Sequence, residues 1–178
     1  LSLVGSEMCI RDRGQKGGLN TGSSFVIMGD QNADPVDGDS FDNAIRQLLE
    51  NPKINTANIP TSPGAPQQSV LQAGANLAQK GNPSFDTADF ADTAPGNLRV
   101  DYVLPSSDLT VTDSRVFWPS NDDPLFRLVG TFDPKLPGGF PSSDHRLIWA
   151  DIQVTPQRVL TALPTAETPS VIDSDDRT

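Results

Sequence analysis

Short apolar segments that end at clusters of Gly, Asp, Asn or Pro constrain the fold of this chain more than any other feature. The segments 24–28, 98–103 and 147–154 are rich in β-branched and aromatic residues, as is typical of buried strands. Residues 109–118 alternate apolar and polar side chains, which predicts a further strand. Because 14 Gly and 16 Pro residues punctuate the chain, we expect long loops between these strands, among them 119–141.

Two helices are predicted between the first and second strands. The first has an apolar face with the spacing of an α-helix, formed by Phe41, Ala44, Ile45, Leu48 and Leu49. Asp39 or Ser40 can cap its start, and Pro52 ends it. A weaker helix is predicted over 69–79, after a surface loop at 58–69. This order of elements predicts an α/β fold, half of a sandwich with a mixed or antiparallel central sheet and flanking helices.

The two ends of the chain differ from its middle. Residues 1–13, LSLVGSEMCIRDR, resemble a peptide that recurs at the ends of metagenomic reading frames, where adapter or read-end sequence is translated. We therefore expect a truncated reading frame, with a naturally frayed terminus as the alternative. Residues 14–23 are predicted to be a linker and 24–154 the domain. Residues 155–178 contain Pro, Thr and Asp without periodicity, which predicts a disordered tail.

Charge and composition disfavour some classes of protein. A chain with a formal net charge of −10 lacks the basic surface expected of tight duplex binding, although divalent cations can offset its repulsion of a phosphate ester. No apolar run approaches the length of about 18 residues that a membrane span requires. The single cysteine, Cys9, lies in the segment 1–13, so we expect neither a disulfide framework nor a thiolate metal site.

Three clusters place polar groups fit for chemistry at strand ends. In the first, Gly29-Asp30-Gln31-Asn32, a strand is followed by Asp30 and, two residues later, by Asn32. This spacing in an extended chain directs both side chains to the same side. A carboxylate beside an amide can accept a proton from water and hold a developing phosphoryl charge. An ordinary turn is the alternative, because Asp, Asn and Pro are common in turns.

The other two clusters supply a second carboxylate and the only histidine. Asp101 stands within an apolar strand, and a buried carboxylate requires a partner. Asp144 and His145 immediately precede the strongest strand prediction. A carboxylate fixes the tautomer and the orientation of an imidazole, so we predict that Asp101 pairs with His145. An outward-facing Asp101 and a purely structural histidine are the alternatives.

In this order the three clusters resemble the C-terminal signature of the endonuclease/exonuclease/phosphatase superfamily, the DNase I-like proteins. The signature combines a Gly-Asp-x-Asn turn, an Arg-Ile/Val-Asp-Tyr strand and a Ser-Asp-His strand start, which are found here at 29–32, 99–102 and 143–145. The resemblance spans residues 24–154 and favours secreted bacterial members described as phosphatases or phosphodiesterases. It implies the C-terminal half of a four-layered α/β sandwich and a metal-dependent hydrolase of phosphomonoesters or phosphodiesters.

The resemblance also implies roles for individual residues. Asp30 would transfer the proton of the attacking water or of the leaving oxygen, and Asn32 would hydrogen-bond a phosphoryl oxygen or the nucleophile. His145 would stabilise the phosphorane and share in proton transfer, with Asp101 orienting its ring. Asp144 would ligate or position Mg²⁺, with Mn²⁺ or Ca²⁺ as alternatives. Asp30 and Asn32 are further candidate metal ligands.

The family's main metal-binding glutamate and its Gln-Asn or Asn pair belong to the first half of the domain. No strand with a glutamate precedes Ser24 in this sequence. We therefore expect this chain to be inactive and its longer parent to be an active hydrolase. The expected partner is a phosphoester substrate, including nucleotides or nucleic acid, and no protein partner is readable. From the resemblance to secreted members we expect an extracellular or periplasmic location in a bacterium.

Two other functions remain open. Asp30, Asn32 and Asp34 occupy the first, third and fifth positions of an EF-hand-like calcium-binding loop. Pro35 stands where that loop requires glycine, however, and Phe41 where it requires glutamate. The second alternative is a non-catalytic interaction module derived from the same superfamily, although such a module does not need the full set of polar site residues.

Overall fold

A computed structural model describes residues 18–19 and 22–154 of the chain. The predicted adapter segment 1–13, most of the linker 14–23 and the predicted tail 155–178 lie outside the described residues. The described part contains four β-strands and two short α-helices, joined by loops and 3₁₀ turns. None of the helices in this part is long and apolar enough to cross a membrane.

The first sheet joins the first two predicted strands. β1 (Val26–Asp30) pairs antiparallel with β2 (Asp101–Pro105), in a register that sets Asp30 opposite Asp101. The end of β1 therefore meets the start of β2. Polar groups that are far apart in the sequence come together at this edge of the sheet.

The second sheet joins the two later predicted strands. β3 (Thr110–Val116) pairs antiparallel with β4 (Ile148–Gln153), with a bulge in the register between Val111 and Asp113. β2 and β4 are also in contact, so the two sheets are neighbours. All four predicted strands are confirmed, with ends displaced by a few residues because strand boundaries are the least certain part of such a pattern.

The first predicted helix is interrupted. Phe41–Asn43 form a 3₁₀ turn, and only Arg46–Leu49 form a regular helix, α1. Asp42 has φ 53°, in the left-handed region, which cannot continue a right-handed helix. On the predicted apolar face Ile45 is buried, whereas Phe41 is 91% exposed. The prediction that Phe41 belongs to a core-facing helix was therefore wrong.

The second helix begins earlier in the chain than predicted. α2 spans Gly64–Gln72, within and beyond the segment 58–69 that was predicted to be a loop, and a 3₁₀ turn follows at Gly74–Ala78. The pattern of apolar residues did not predict the position of this helix, because α2 buries polar side chains. Gln68 is 1% exposed, whereas Val70 is 69% exposed. The prediction of one helix over residues 69–79 was therefore wrong.

Gly64 allows the start of α2 to pack against the chain that follows β3. A Cβ atom at this position would lie 2.4 Å from the carbonyl oxygens of Trp118 and Pro119, closer than non-bonded atoms approach. The Gly64 N–H donates to the Trp118 carbonyl at 2.8 Å. A glycine is therefore required where this helix meets the strand exit.

The core consists of separate clusters of buried side chains. One is built around Tyr102 on β2, a second around Trp118 after β3, and a third around Val100 just before β2. Tyr102 and Trp118 are fully buried. The first two clusters combine strand residues with residues from loops or short helices, and the third consists of residues outside the strands. The loops are therefore part of the packed structure.

The architecture is an α/β arrangement with antiparallel pairing in both sheets. This agrees with the antiparallel alternative of the predicted sheet, while the helices are shorter than predicted. The predicted loop at 119–141 contains 3₁₀ turns as its helical elements, at Pro124–Leu128 and Pro137–Gly139.

Candidate active site

Three side chains from distant parts of the sequence meet where β1 ends and β2 begins. Asp30, Asp101 and His145 each offer one candidate ligand atom, and these atoms lie within 4.8 Å of one another. Among the described residues, no other group of three or more acidic, histidine or cysteine side chains has this spacing. We refer to these three residues as the Asp-Asp-His cluster.

Strand pairing fixes the two carboxylates of the cluster. β1 and β2 set Asp30 opposite Asp101, and the next N–H along, that of Gln31, donates to the Val100 carbonyl at 2.8 Å. Gly29 has φ 128°, a conformation that residues with a side chain rarely adopt. Glycine before Asp30 therefore lets the strand end take this shape without backbone strain.

The histidine of the cluster is held by a hydrogen bond to Asp101. His145 Nδ1 lies 2.9 Å from Asp101 Oδ2, so the contact expected from the sequence is present. The Asp101 side chain is 12% exposed and that of His145 32%. Partial burial lowers the pKa of His145, but the hydrogen bond to Asp101 and the charges of Asp101 and Asp30 outweigh it. The pKa of His145 is therefore raised above its ordinary value.

A short segment, residues 87–88, contacts the chain around both members of this pair. The Thr87 hydroxyl oxygen accepts the N–H groups of Val100 at 3.0 Å and Asp101 at 2.9 Å. The adjacent Ala88 forms isolated antiparallel bridges to the chain before β2 and to His145. Thr87 and Ala88 therefore connect the strand that carries Asp101 to the segment that carries His145.

Two further residues predicted for the site lie beside the cluster and not within it. Asn32 is exposed, has φ 47°, and donates its N–H to Asp30 Oδ1 at 2.7 Å. Asp144 is half-buried and accepts a hydrogen bond from Ser143 Oγ at 3.3 Å. The structure thus gathers all the predicted site residues in one region, with Asn32 and Asp144 at its edges.

Asp34, the third residue of the alternative calcium loop, is turned into the protein. It is 8% exposed. Its Oδ1 accepts the N–H groups of Val36 and Asp37 at 2.7 Å, and its Oδ2 accepts the Arg99 N–H at 2.9 Å. Both carboxylate oxygens are engaged by backbone groups. The geometry therefore does not support the EF-hand-like alternative.

A buried ion pair that the sequence reasoning missed lies next to the cluster. Arg146 Nη2 donates to Asp89 Oδ2 at 2.8 Å, and neither side chain is more than 3% exposed. The guanidinium also lies over the Trp118 ring, 4.4 Å from its centre. Burial lowers the pKa of Arg146 and raises that of Asp89, while their mutual attraction opposes both shifts. The charge of Arg146 at the start of an apolar strand was the one signal that a partner was required.

Phe90 is a second neighbour of the cluster that the sequence did not indicate. Its ring packs edge-on against that of His145, with 5.6 Å between ring centres and 80° between planes. It lies in an Asp-, Ala- and Thr-rich loop without periodicity, so no pattern distinguished it. The imidazole is therefore held by an aromatic ring as well as by the Asp101 carboxylate.

One family model matches most of the chain. It is described as the Endonuclease/Exonuclease/phosphatase family, and the match covers residues 9–145. The matched segment contains the whole Asp-Asp-His cluster, with His145 at its last position. No curated protein and no solved structure matches the chain significantly.

Proposed function

Because the chain belongs to the endonuclease/exonuclease/phosphatase family, we propose that its domain hydrolyses phosphate esters with the help of a divalent cation. Members of this family are generally metal-dependent phosphoesterases or nucleases. The observation that carries the proposal is the meeting of Asp30, Asp101 and His145 within 4.8 Å. Two carboxylates and an imidazole at this distance suit both proton transfer and cation binding.

Asp30 is the proposed proton-transfer group. It is exposed, so a water molecule can reach its carboxylate. The Asn32 N–H holds Oδ1 at 2.7 Å, which fixes the carboxylate while Oδ2 stays available to the attacking water or the leaving oxygen. Asn32 itself is the proposed hydrogen-bond donor to a phosphoryl oxygen or to the nucleophile, because it stands at the same exposed edge.

His145 is the proposed group that stabilises the phosphorane and shares in proton transfer. Its raised pKa favours the protonated imidazole, which can donate to a phosphoryl oxygen. Asp101 is the proposed positioning residue. Its hydrogen bond to Nδ1 orients the ring and leaves Nε2 as the nitrogen that acts on the substrate.

The donor set of the cluster fits a hard divalent cation. Carboxylate oxygens are the ligands that Mg²⁺ and Mn²⁺ prefer, and Asp30 and Asp101 offer them beside the His145 imidazole. Asp144 is the proposed residue that ligates or positions the ion, with Asn32 as a further candidate ligand. A bound cation would neutralise negative charge on the phosphoryl group. We propose Mg²⁺, with Mn²⁺ and Ca²⁺ as alternatives.

The glutamate expected from the family resemblance is not part of the cluster. Among the described residues Glu50 is the only glutamate, and it forms a 3.4 Å ion pair with Arg46 in which its side chain is 69% exposed. We therefore propose that a longer domain, with the complete four-layered α/β sandwich, supplies this ligand. This chain alone is then an inactive part of a phosphoesterase.

The proposed substrate is a phosphomonoester or phosphodiester, including nucleotides and nucleic acid. The formal net charge of −10 favours small phosphoesters over duplex DNA, because an acidic surface repels a polyanion. An extracellular or periplasmic location is part of the same proposal, supported by the resemblance of residues 29–40 and 97–106 to secreted bacterial members.

Mn²⁺ binding tests the metal part of the proposal without requiring activity. Titration of Mn²⁺ into the isotope-labelled chain should first broaden the nuclear magnetic resonance signals of Asp30, Asp101 and His145, because paramagnetic broadening falls steeply with distance. Asp101→Asn should weaken this effect. Asp113→Asn, at a carboxylate on β3 that is 47% exposed, is the matched control and should leave it unchanged. Broadening strongest at any other place would overturn the assignment.

Hydrolysis of bis-p-nitrophenyl phosphate in the presence of Mg²⁺ tests the reaction. The chain alone should show no hydrolysis above that of the buffer, whereas the longer parent protein should hydrolyse the diester and lose that activity on His145→Ala. Parent activity that survives His145→Ala would contradict the proposed role of the histidine. Hydrolysis by the chain alone, lost on the same substitution, would contradict the need for a further glutamate.

A further inference from the structure

A cavity lined by aromatic rings adjoins the Asp-Asp-His cluster. It has a volume of about 590 Å³ and lies between residues 89–93 and 131–140. Three phenylalanines line it, namely Phe90, Phe132 and Phe140. Phe132 is 65% exposed and packs edge-on against the buried Phe140, with 5.9 Å between ring centres. We refer to this space as the aromatic cavity.

The aromatic cavity shares a wall with the proposed reaction centre. Phe90 lines the cavity, and its ring is also the one that packs against His145 at 5.6 Å. Asp144, the residue before that histidine, lines the cavity as well. The Asp89 N–H donates to the Asp144 carbonyl at 2.8 Å, which ties the two rims together. A phosphoryl group at the cluster would therefore place one of its substituents next to this cavity.

The charged side chains that line the aromatic cavity are all acidic. Its charged lining residues are Asp89, Asp92 and Asp144, and no lysine or arginine is among the described residues that line it. The carboxylate of Asp89 is neutralised by its 2.8 Å ion pair with Arg146. Asp92 has no such partner in the part of the chain that the structure describes, whereas the Asp144 carboxylate is attracted to Arg146 and His145. The cavity thus presents apolar rings together with the uncompensated carboxylate of Asp92.

On this geometry, and resting on the proposed phosphoesterase function, we propose that the aromatic cavity binds the leaving group of the substrate and selects a group that is apolar and cationic or uncharged. The Arg146 guanidinium already lies over the Phe140 ring, 5.1 Å from its centre. The more exposed Phe132 ring is available to attract an organic cation, and the Asp92 carboxylate that lines the same cavity adds to that attraction. An anionic substituent would instead be repelled by Asp92 and would lose its hydration on entering. A second phosphate, as in a polynucleotide, is therefore excluded from this cavity.

Binding of three matched probes to the full chain tests this proposal independently of hydrolysis. Benzyltrimethylammonium, benzyl alcohol and phenylacetate present the same ring with a positive, zero and negative charge. Their binding is followed by chemical-shift changes in the isotope-labelled chain, with a chelator present so that divalent cations do not contribute. The cation should bind about tenfold or more tightly than the anion, with benzyl alcohol between them. The largest shifts should occur at Phe90, Thr93 and Phe132.

Two substitutions at exposed cavity residues separate charge from packing. Asp92→Asn should reduce the preference for binding the cation over the anion. Phe132→Ala should lower the binding affinity of all three probes. The matched controls are Asp151→Asn and Phe41→Ala, because these residues are exposed and do not line the cavity. Equal affinity for cation and anion, absence of binding by every probe, or equal effects of the cavity and control substitutions would each overturn the proposal.

The leaving-group assignment has a separate readout in the longer parent protein. Among phosphodiesters, kcat/KM should be highest for a cationic leaving group, intermediate for a neutral one and lowest for an anionic one. Asp92→Asn should reduce the differences in kcat/KM between them. A kcat/KM that does not depend on the charge of the leaving group would contradict the leaving-group proposal but would not contradict the phosphoesterase function. Selective binding of the probes, with no hydrolysis of any phosphodiester by the parent protein, would contradict the phosphoesterase function. It would show that the cavity is a binding site of another kind.

Discussion

Two pairs of opposite charge lie side by side in this protein and differ in burial. In one, His145 Nδ1 contacts Asp101 Oδ2 at 2.9 Å, with side chains 32% and 12% exposed. In the other, Arg146 contacts Asp89 at 2.8 Å, with side chains 0% and 3% exposed. The cationic partners are consecutive in the sequence, and the segment 87–89 contacts both. Distance alone therefore does not distinguish them.

Burial gives the two pairs different consequences. Taking a charged pair fully out of water incurs a large desolvation penalty, so the loss of either partner leaves an isolated charge that the protein cannot solvate. A pair that still meets water can lose or gain a proton with little effect on the fold. We therefore expect Asp89–Arg146 to serve stability and Asp101–His145 to serve chemistry. The following substitutions test that division.

Arg146→Ala should have the largest effect. It leaves Asp89 buried without its partner and removes the guanidinium from the Trp118 ring, so we expect the free energy of unfolding to fall by about 3–5 kcal/mol. Urea denaturation followed by tryptophan fluorescence measures it. Arg115→Ala is the control, because that arginine is 66% exposed in its 3.6 Å contact with Asp113 and should cost less than about 1 kcal/mol. Equal losses would show that burial does not separate the two kinds of pair.

Asp86 extends the comparison to a buried carboxyl group without a partner. It is 6% exposed, and its Oδ2 has no hydrogen-bond partner among the described residues. Burial, followed by the charges of Asp34 and Asp37, raises its pKa from 3.8 to about 8. A raised folded-state pKa means that the stabilising contribution is full below about pH 4, declines as the pH rises, and is lost above about pH 8.

Asp86→Asn should therefore reduce the pH dependence of the free energy of unfolding. With a folded-state pKa of about 8, we expect the wild type to lose roughly 4 kcal/mol of unfolding free energy from this group between pH 5 and pH 9, and the variant to lose less. Urea denaturation at both pH values measures the difference. Asp151→Asn, at an exposed carboxylate on β4 that does not contribute to the Asp86 pKa, controls for the change in net charge. A variant whose stability falls with pH as steeply as that of the wild type would contradict the unpartnered assignment.

Thr87→Val tests the link that holds the Asp101–His145 pair. The substitution keeps the side-chain shape but removes the acceptor of the Val100 and Asp101 N–H groups, so we expect a loss of about 1–3 kcal/mol and a shifted resonance of the His145 ring. Thr112→Val on β3 is the control, because that threonine is exposed and its removal should cost less than about 0.5 kcal/mol. An unchanged His145 resonance would mean that Thr87 does not position the pair.

His145→Ala should have the smallest effect on stability. Its side chain is 32% exposed, but its loss leaves the Asp101 carboxylate, 12% exposed, without its partner. We therefore expect a loss of about 1–2 kcal/mol at neutral pH, below that of Arg146→Ala. Because the folded-state pKa of His145 is raised, the stabilising contribution is present below the ordinary pKa of histidine and disappears as the pH rises through the folded-state value. Thermal denaturation at several pH values measures this. A loss of unfolding free energy as large as that caused by Arg146→Ala would show that the two ion pairs do not differ in their contribution to stability.

The strands and the site residues were predictable from the sequence for one reason. Strands are predicted by local patterns of apolar residues. Asp30, Asp101 and His145 lie at or next to the ends of such strands, so their positions follow from the same local patterns. Pairing of Asp101 with His145 followed from the need of a buried carboxylate for a partner. The roles of these residues and of Asn32 and Asp144 stay predictions.

The helices, the buried ion pair and the aromatic cavity were not predictable, because each depends on contacts between distant segments. α2 buries Gln68 and exposes Val70, the reverse of the usual helical pattern, since its buried face meets polar loop groups. Phe90 and Phe132 lie in loops without periodicity, and only the folded chain brings them together. Local propensity carries no information about such tertiary contacts.

The bridges made by Ala88 have a consequence for the order of folding. The Asp-Asp-His cluster unites segments near residues 30, 101 and 145 only after the 87–88 segment has docked between them, so several long loops must close first. We expect the amide of Ala88 to exchange with solvent hydrogen only in the globally unfolded chain. The cluster is then assembled late, and an ion that binds it recognises only the fully folded protein.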